Sequence, residues 1–339
     1  AGSSERRPWE GVWEVAKDGE LRTKKRTPPP ARLESVGGDT SKSMAALVGA
    51  AACAAAGWVL AHAGGRSPRR VKRNNTLEMP VIAPFEGSTV LVTGCSRGMG
   101  PGWCKALLAR GTNVIAGCRN PRTAAVVNEL AAKGGKGGAW CKVVQLDLGW
   151  SENRLAKFAE DLRTKHGVRR LDLLVNNAGL GEADDPLLKA SKDNLMSFFE
   201  VNTVGPILLT QALLPLMNVE GGRKMVCNLN SDLGSCEKVT TDVPVGSGQI
   251  TACSYRVTKA GANMATLCLA RELNDNDFIF VSMSPGHVDT DMGHLPAPGR
   301  PKPTLSVRDS VGGMISVLER LTPEDNGSFH KFNGDVLPW

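Results

Sequence analysis

The chain of 339 residues has one tyrosine, five histidines and only 5% aromatic residues. Its nine cysteines include no C-x-x-C pair, and none stands at metal-ligand spacing from a histidine, which excludes a zinc module. The plain reading of these cysteines is reduced, individually buried thiols. With 41% hydrophobic residues, collagen-like, wholly disordered and disulfide-scaffold classes also fall away. Net positive charge is scarce outside the first quarter. Residues 1–85 carry 14 basic and 8 acidic side chains, which is +6 of the total +7, and the remainder is nearly balanced at 27 against 26. A neutral body argues against nucleic acid as a partner, because that function needs charge spread over the folded face.

Residues 1–43 mix Arg, Lys, Glu and Ser with the run Pro28-Pro29-Pro30, and show little apolar periodicity. Such a segment cannot bury enough surface to offset the entropy of ordering it, so a disordered leader is expected. Residues 44–63 carry no charge over 20 positions, long enough to cross hydrocarbon as a helix. Ten of them are alanine and one is His62, so insertion would be marginal. A membrane anchor with the body facing the cytoplasm, a cleaved organellar transit segment and a short amphipathic leader all stay open, and with them the localisation. Residues 64–86, with Gly64-Gly65, Pro68, Pro80 and Pro84, read as a linker into a folded body at 87–339.

From Thr89 onward, short β-branched runs alternate with helix-length amphipathic segments, the pattern of βαβ units around a parallel sheet. Strands are expected at 89–93, 113–117, 142–146, 171–175, 225–229 and 278–283, with a short seventh near 329–332. Helices are expected at 102–110, 122–133, 152–166, 193–217, 255–274 and 307–321. The fourth is long and contains Pro206 and Pro215, so a kink is expected there. The fold class is therefore α/β, a single doubly wound parallel sheet of the Rossmann type.

Directly after the first of these strands comes Thr93-Gly94-Cys95-Ser96-Arg97-Gly98-Met99-Gly100, followed by a helix. Glycines there let the backbone turn tightly and approach a pyrophosphate, whose charge the helix N-terminus stabilises through its free N–H groups. No acid ends the second strand, where one would grip an unphosphorylated ribose; Gly117-Cys118-Arg119-Asn120 stands there instead. Arg97 and Arg119 could hold a 2′-phosphate, so NADP(H) is expected over NAD(H). Asp147, in Leu146-Asp147-Leu148, either accepts from the adenine amine or caps the following turn.

The single tyrosine stands in Tyr255-Arg256-Val257-Thr258-Lys259. Positions i and i+4 share a helix face, so the Lys259 ammonium lies near the phenol and favours its ionised form. A phenol acidified in this way suits the role of general acid toward a carbonyl.

Together with Asn176-Asn177-Ala178-Gly179, Asn202 in Val201-Asn202-Thr203, Ser231, and Pro285-Gly286-His287-Val288-Asp289-Thr290, these motifs resemble the short-chain dehydrogenase/reductase family over residues 89–339. Residues 332–339 and the stretch Cys118-Arg119-Asn120-Pro121 look most like its C-factor or sniffer-type carbonyl reductase branch. The resemblance implies Tyr255 as proton donor, Lys259 as the cation that acidifies it and binds the nicotinamide ribose, Ser231 holding the substrate oxygen, and Asn202 anchoring a proton-resupplying water chain. It places Thr290 and the Pro285-Gly286 turn at the nicotinamide carboxamide, Asn177, Ala178 and Gly179 along the cofactor's sugar, and Val288 among the cofactor-binding residues. Asp147 and Leu148 fall at the adenine side, and Thr93, Gly94, Ser96, Arg97, Gly98, Met99 and Gly100 cradle the phosphates.

Two departures stand out. Asn230 precedes Ser231 where the family often has a second serine, and 23 residues separate Ser231 from Tyr255 where roughly a dozen are usual. Ser235 is therefore a second candidate for the serine role, and residues 237–250 are expected to form a surface loop beside the active-site mouth. The expected function is NADP(H)-dependent reduction of a small-molecule aldehyde or ketone, or the reverse, by a homo-oligomer associating through the long helices before and around Tyr255. The alternative is a non-catalytic NADP(H)-binding scaffold or redox sensor. No histidine is given a catalytic role.

Overall fold

The computed structural model describes residues 13–15, 21–23, 85–181, 187–242, 250–274, 277–296 and 301–339. The chain divides into two compact units, Ala1–Leu77 and Glu78–Trp339. In the first, β1 (Trp13–Val15) pairs antiparallel with β2 (Leu21–Thr23), Trp13 opposite Thr23. These two short strands are the described part of the expected leader 1–43, and its other residues lie outside the described ones. The 44–63 run lies outside the described residues, and among the described residues no helix is long and apolar enough to cross a membrane.

The second unit is built on seven parallel strands: β3 (Thr89–Thr93), β4 (Asn113–Cys118), β5 (Cys141–Gln145), β6 (Leu173–Asn176), β7 (Met225–Leu229), β8 (Ile279–Ser284) and β9 (Ser328–Lys331), in the order β5-β4-β3-β6-β7-β8-β9. Side chains alternate between the two faces. Val90 and Val92 enter a core with Trp103, Leu107 and Met314, and Leu91 enters a second core with Leu155, Phe158 and Leu213. Both faces are thus apolar, which is why these strands read as unbroken apolar runs rather than as alternating ones.

Helices α1 (Met99–Leu108), α2 (Ala125–Lys133) and α8 (Val307–Leu318) supply buried residues to the first core, and α3 (Glu152–Thr164) and α5 (Gly205–Met217) to the second. Between α4 (Lys192–Phe199) and α5, residues Glu200–Val204 form a π-helical turn in which the Gly205 N–H reaches the Glu200 carbonyl. The expected kink in 193–217 is this turn. Residue 206 is proline, so the Asn202 carbonyl has no helical i+4 donor, and one wide turn absorbs the mismatch.

Residues 237–250 depart from the expected loop, because α6 (Cys236–Asp242) occupies their first half. Its start is held by Ser235, whose hydroxyl accepts from the Lys238 N–H at 3.1 Å. The helix α7 (Cys253–Glu272) carries Tyr255 and Lys259.

Of the eight cysteines among the described residues, six are buried and Cys236 and Cys268 are exposed. Burial pushes the Cys141 thiol up to about 12, so it stays protonated and packs as a small apolar group.

Candidate active site

The chain leaves β3 toward β4 and β5 on one side, then crosses to β6 on the other, which opens a crevice at the carboxyl ends of β3 and β6. The glycine loop lines it. Gly94 has φ +71°, and a Cβ on it would come within 2.8 Å of the Ala178 Cα; one on Gly100 would lie 2.3 Å from the Gly94 carbonyl. At Gly94 and Gly100 the loop is therefore packed against its surroundings with no room for a side chain. Asn177 locks it by donating to the Thr93 carbonyl at 2.7 Å, and the Ala178 N–H donates to the Thr93 hydroxyl at 2.9 Å.

The N-terminus of α1 has no side-chain cap and no acid in its first turn. Ser96, Arg97 and Gly98 are exposed before it. Uncapped amides behind a glycine loop fit a dinucleotide's phosphates. Arg119 is exposed at the end of β4, on one side of the loop. Arg97 instead pairs at 3.6 Å with Asp291, which follows β8 on the other side. Asp147 accepts from the Gly149 N–H at 3.1 Å, which is the turn-capping alternative. Leu148 is buried in the second core.

Ser231 and Tyr255 face one open cleft of about 580 Å³, counted with the solvent at its mouth. Its walls include Met99, Leu233, Ala252, Pro285, Val288 and Met292. Thr290, Gly286 and His287 also line it; the His287 Nε2 is bonded to the Gly293 carbonyl at 2.8 Å, a structural tie that the sequence reading missed. The Thr290 hydroxyl accepts from the Gly293 N–H at 3.2 Å and so shapes the turn after β8.

The Ser231 hydroxyl accepts from the Leu233 N–H at 3.2 Å. Ser235, the second serine candidate, is fully buried and donates to the Trp339 carbonyl at 3.2 Å, away from this cleft's lining. The serine beside Tyr255 is therefore Ser231.

Lys259 lies beneath Tyr255, its Nζ 5.6 Å from the ring centroid, and donates to the Leu229 carbonyl at 2.7 Å. Burial destabilises its charge and lowers its pKa to about 8. Asn202 is 2% exposed, and its side chain is fully engaged: it accepts from the Leu180 N–H at 2.8 Å and donates to the Leu180 carbonyl at 3.0 Å and the Thr258 hydroxyl at 3.1 Å. A Cβ on Gly179 would meet Asn202 Oδ1 at 3.2 Å and Lys259 Nζ at 3.7 Å, so these three residues share one small space.

The departure at Asn230 has a clear physical reason. Its buried amide donates to Asn263 Oδ1 at 2.7 Å and to the Ser282 hydroxyl at 2.8 Å, and Asn263 donates to the Gly234 carbonyl at 3.2 Å. The ladder stitches β7, β8 and α7 together behind Ser231. A serine at 230 would be too short to span it.

Residues 88–298 match the family model described as short chain dehydrogenase. The norsolorinic acid ketoreductase of Aspergillus parasiticus is 31% identical over 263 residues, covering 76% of this chain and 93% of that protein. The structure of the NADPH-bound carbonyl reductase from chicken fatty liver is 30% identical with a TM-score of 0.64, covering 74% of this chain and 98% of that one. The carbonyl reductase Sniffer of D. melanogaster is 29% identical with a TM-score of 0.63, covering 74% and 99%. A family model matched over more than half of the chain, with a relative above 30% identity covering three quarters of it, shows that the chain belongs to the short-chain dehydrogenase/reductase family and is an oxidoreductase.

Proposed function

We propose that the protein reduces an aldehyde or ketone to the alcohol, or runs the reverse reaction, with NADP(H). The observation that carries this reading is the sharing of one cleft by Ser231 and Tyr255, with the Lys259 cation beneath the phenol and the glycine loop at the cleft's edge. A bound nicotinamide would exchange hydride with the carbonyl carbon. Ser231 donates to the carbonyl oxygen and orients it, and Tyr255 delivers the proton as charge grows there. Lys259, held by the Leu229 carbonyl, favours loss of that proton and would hold the nicotinamide ribose of a bound cofactor. The Asn202 carbonyl, left without a helical donor by Pro206, is a ready acceptor for a water that resupplies the proton.

NADP(H) over NAD(H) rests on Arg119 and on the absence of an acid at the end of β4. Exposed Val204, Val257 and Met264, near the start of α5 and along α7, support a homo-oligomer through these helices, which sedimentation velocity would measure. The test of function is NADPH oxidation by the full chain, followed by absorbance, over a panel of neutral aldehydes and ketones. Turnover supports the reading. Tight NADPH binding without turnover of any panel member favours a scaffold.

A further inference from the structure

The long segment between Ser231 and Tyr255 begins and ends on the cleft, since Leu233 on its outgoing limb and Ala252 on its returning limb both line the wall beside Tyr255. The outgoing limb is anchored to the end of the chain. Trp339 stacks on Phe329 with ring centroids 5.3 Å apart, and its carbonyl accepts from the Ser235 hydroxyl and from the Glu237 N–H at 3.1 Å. The returning limb is under strain, because Ala252 takes a left-handed conformation at φ 54° that side chains rarely adopt. Such a backbone persists only where its surroundings hold it.

What holds it is the neighbour of the tyrosine. Arg256 Nε donates to the Thr251 carbonyl at 2.8 Å, and its Nη1 donates to the Leu233 carbonyl at 3.4 Å. One rigid, half-buried guanidinium thus closes the neck of the segment, with each donor on a different limb. We propose that Arg256 is a positioning residue for substrate acceptance: by tying Leu233 to Thr251 it fixes the width of the apolar wall against which a bulky neutral carbonyl rests beside Tyr255. The inference rests on the carbonyl reduction proposed above. It gives Arg256 no contact with reacting atoms. A small carbonyl, which reaches Ser231 and Tyr255 without leaning on that wall, is insensitive to the clamp.

The test compares Arg256→Ala and Arg256→Lys with the wild-type full chain, using propanal as the small probe and 2-acetylnaphthalene as the bulky one. Arg256→Ala should raise KM for the bulky ketone about tenfold, the loss expected of charge-assisted hydrogen bonds, and leave KM and kcat for propanal within about twofold. Arg256→Lys, with a single ammonium in place of the fork, should fall between. Independently of turnover, hydrogen exchange should quicken at the amides of 232–236 and 250–254 in Arg256→Ala while the NADPH dissociation constant from fluorescence titration stays the same. Equal KM shifts for both probes, or unchanged exchange at those amides, would overturn the clamp. If the wild-type chain reduces neither probe, carbonyl reduction of this kind fails, and the exchange measurement still decides whether Arg256 holds the neck.

Discussion

Lys259 donates to the Leu229 carbonyl at 2.7 Å and stands 5.6 Å from the Tyr255 ring centroid, so the end of β7 fixes a cation directly under the phenol. The charge is held by backbone rather than by a carboxylate. No acid competes with Tyr255 for it at that bond, and the full field of the ammonium acts on the phenol.

Tyr255→Phe removes the proton donor and keeps the ring. Turnover should fall by about 10²- to 10⁴-fold, the usual worth of a positioned general acid, while NADPH affinity by fluorescence titration holds. Undiminished turnover would show that the proton comes from elsewhere.

Burial lowers Lys259 to about 8, whereas in the unfolded chain it keeps an ordinary lysine value near 10.4. Between those values the unfolded chain holds a proton that the folded chain has released, so this residue makes stability rise with pH across the window from about 8 to about 10.4. Below about 8 both states are charged and the burial penalty stands in full. Denaturant midpoints at pH 7.5 and 10 should show a gain in the wild type that Lys259→Met lacks. Turnover should move the opposite way, falling on the alkaline side of about 8 as the cation under Tyr255 is lost.

Arg119→Asp should weaken NADPH binding at least about tenfold and leave NADH within about twofold, because only the former has a 2′-phosphate for the guanidinium to grip. Parallel titrations of the two cofactors decide it. Equal losses would move the 2′-phosphate away from the end of β4.

Asn263→Ala leaves the Asn230 amide one acceptor short and the Gly234 carbonyl without its side-chain donor, all in a buried place. Each orphaned group costs about 1–3 kcal/mol, so a clear drop in Tm is expected. A variant as stable as the wild type would mean that the ladder contributes nothing behind Ser231.

Gly100→Ala places a methyl about where the Gly94 carbonyl already sits, with 2.3 Å between the two atoms. The loop must open to admit it. NADPH affinity should fall by more than about tenfold, and Tm should fall with it, since Gly100 is buried and the methyl also meets the Cys95 Cα at 2.6 Å.

The strand and helix order, the glycine loop and the Tyr255–Lys259 pair were legible along the chain, because each is local: apolar runs of strand length, glycines at a turn, and a four-residue helical spacing. Boundaries moved by only a few residues, as for β6, expected at 171–175 and found at Leu173–Asn176. Long-range partners were not legible. Arg97 reached for Asp291, 194 positions away and across the sheet, and Ser235 turned to the tail. Asn230 looked like a missing serine until Asn263 and Ser282 stood beside it.

Periodicity and turn chemistry thus determined on their own that this chain winds a parallel sheet with a glycine loop at its crevice and one tyrosine four residues before a lysine. Tertiary structure alone decided which of two serines faces that phenol, what Asn230 is for, and that Arg256 joins two limbs 18 residues apart. Local propensity acts over a few neighbouring residues, whereas a hydrogen bond between distant segments exists only once the sheet has brought them within about 3 Å of each other.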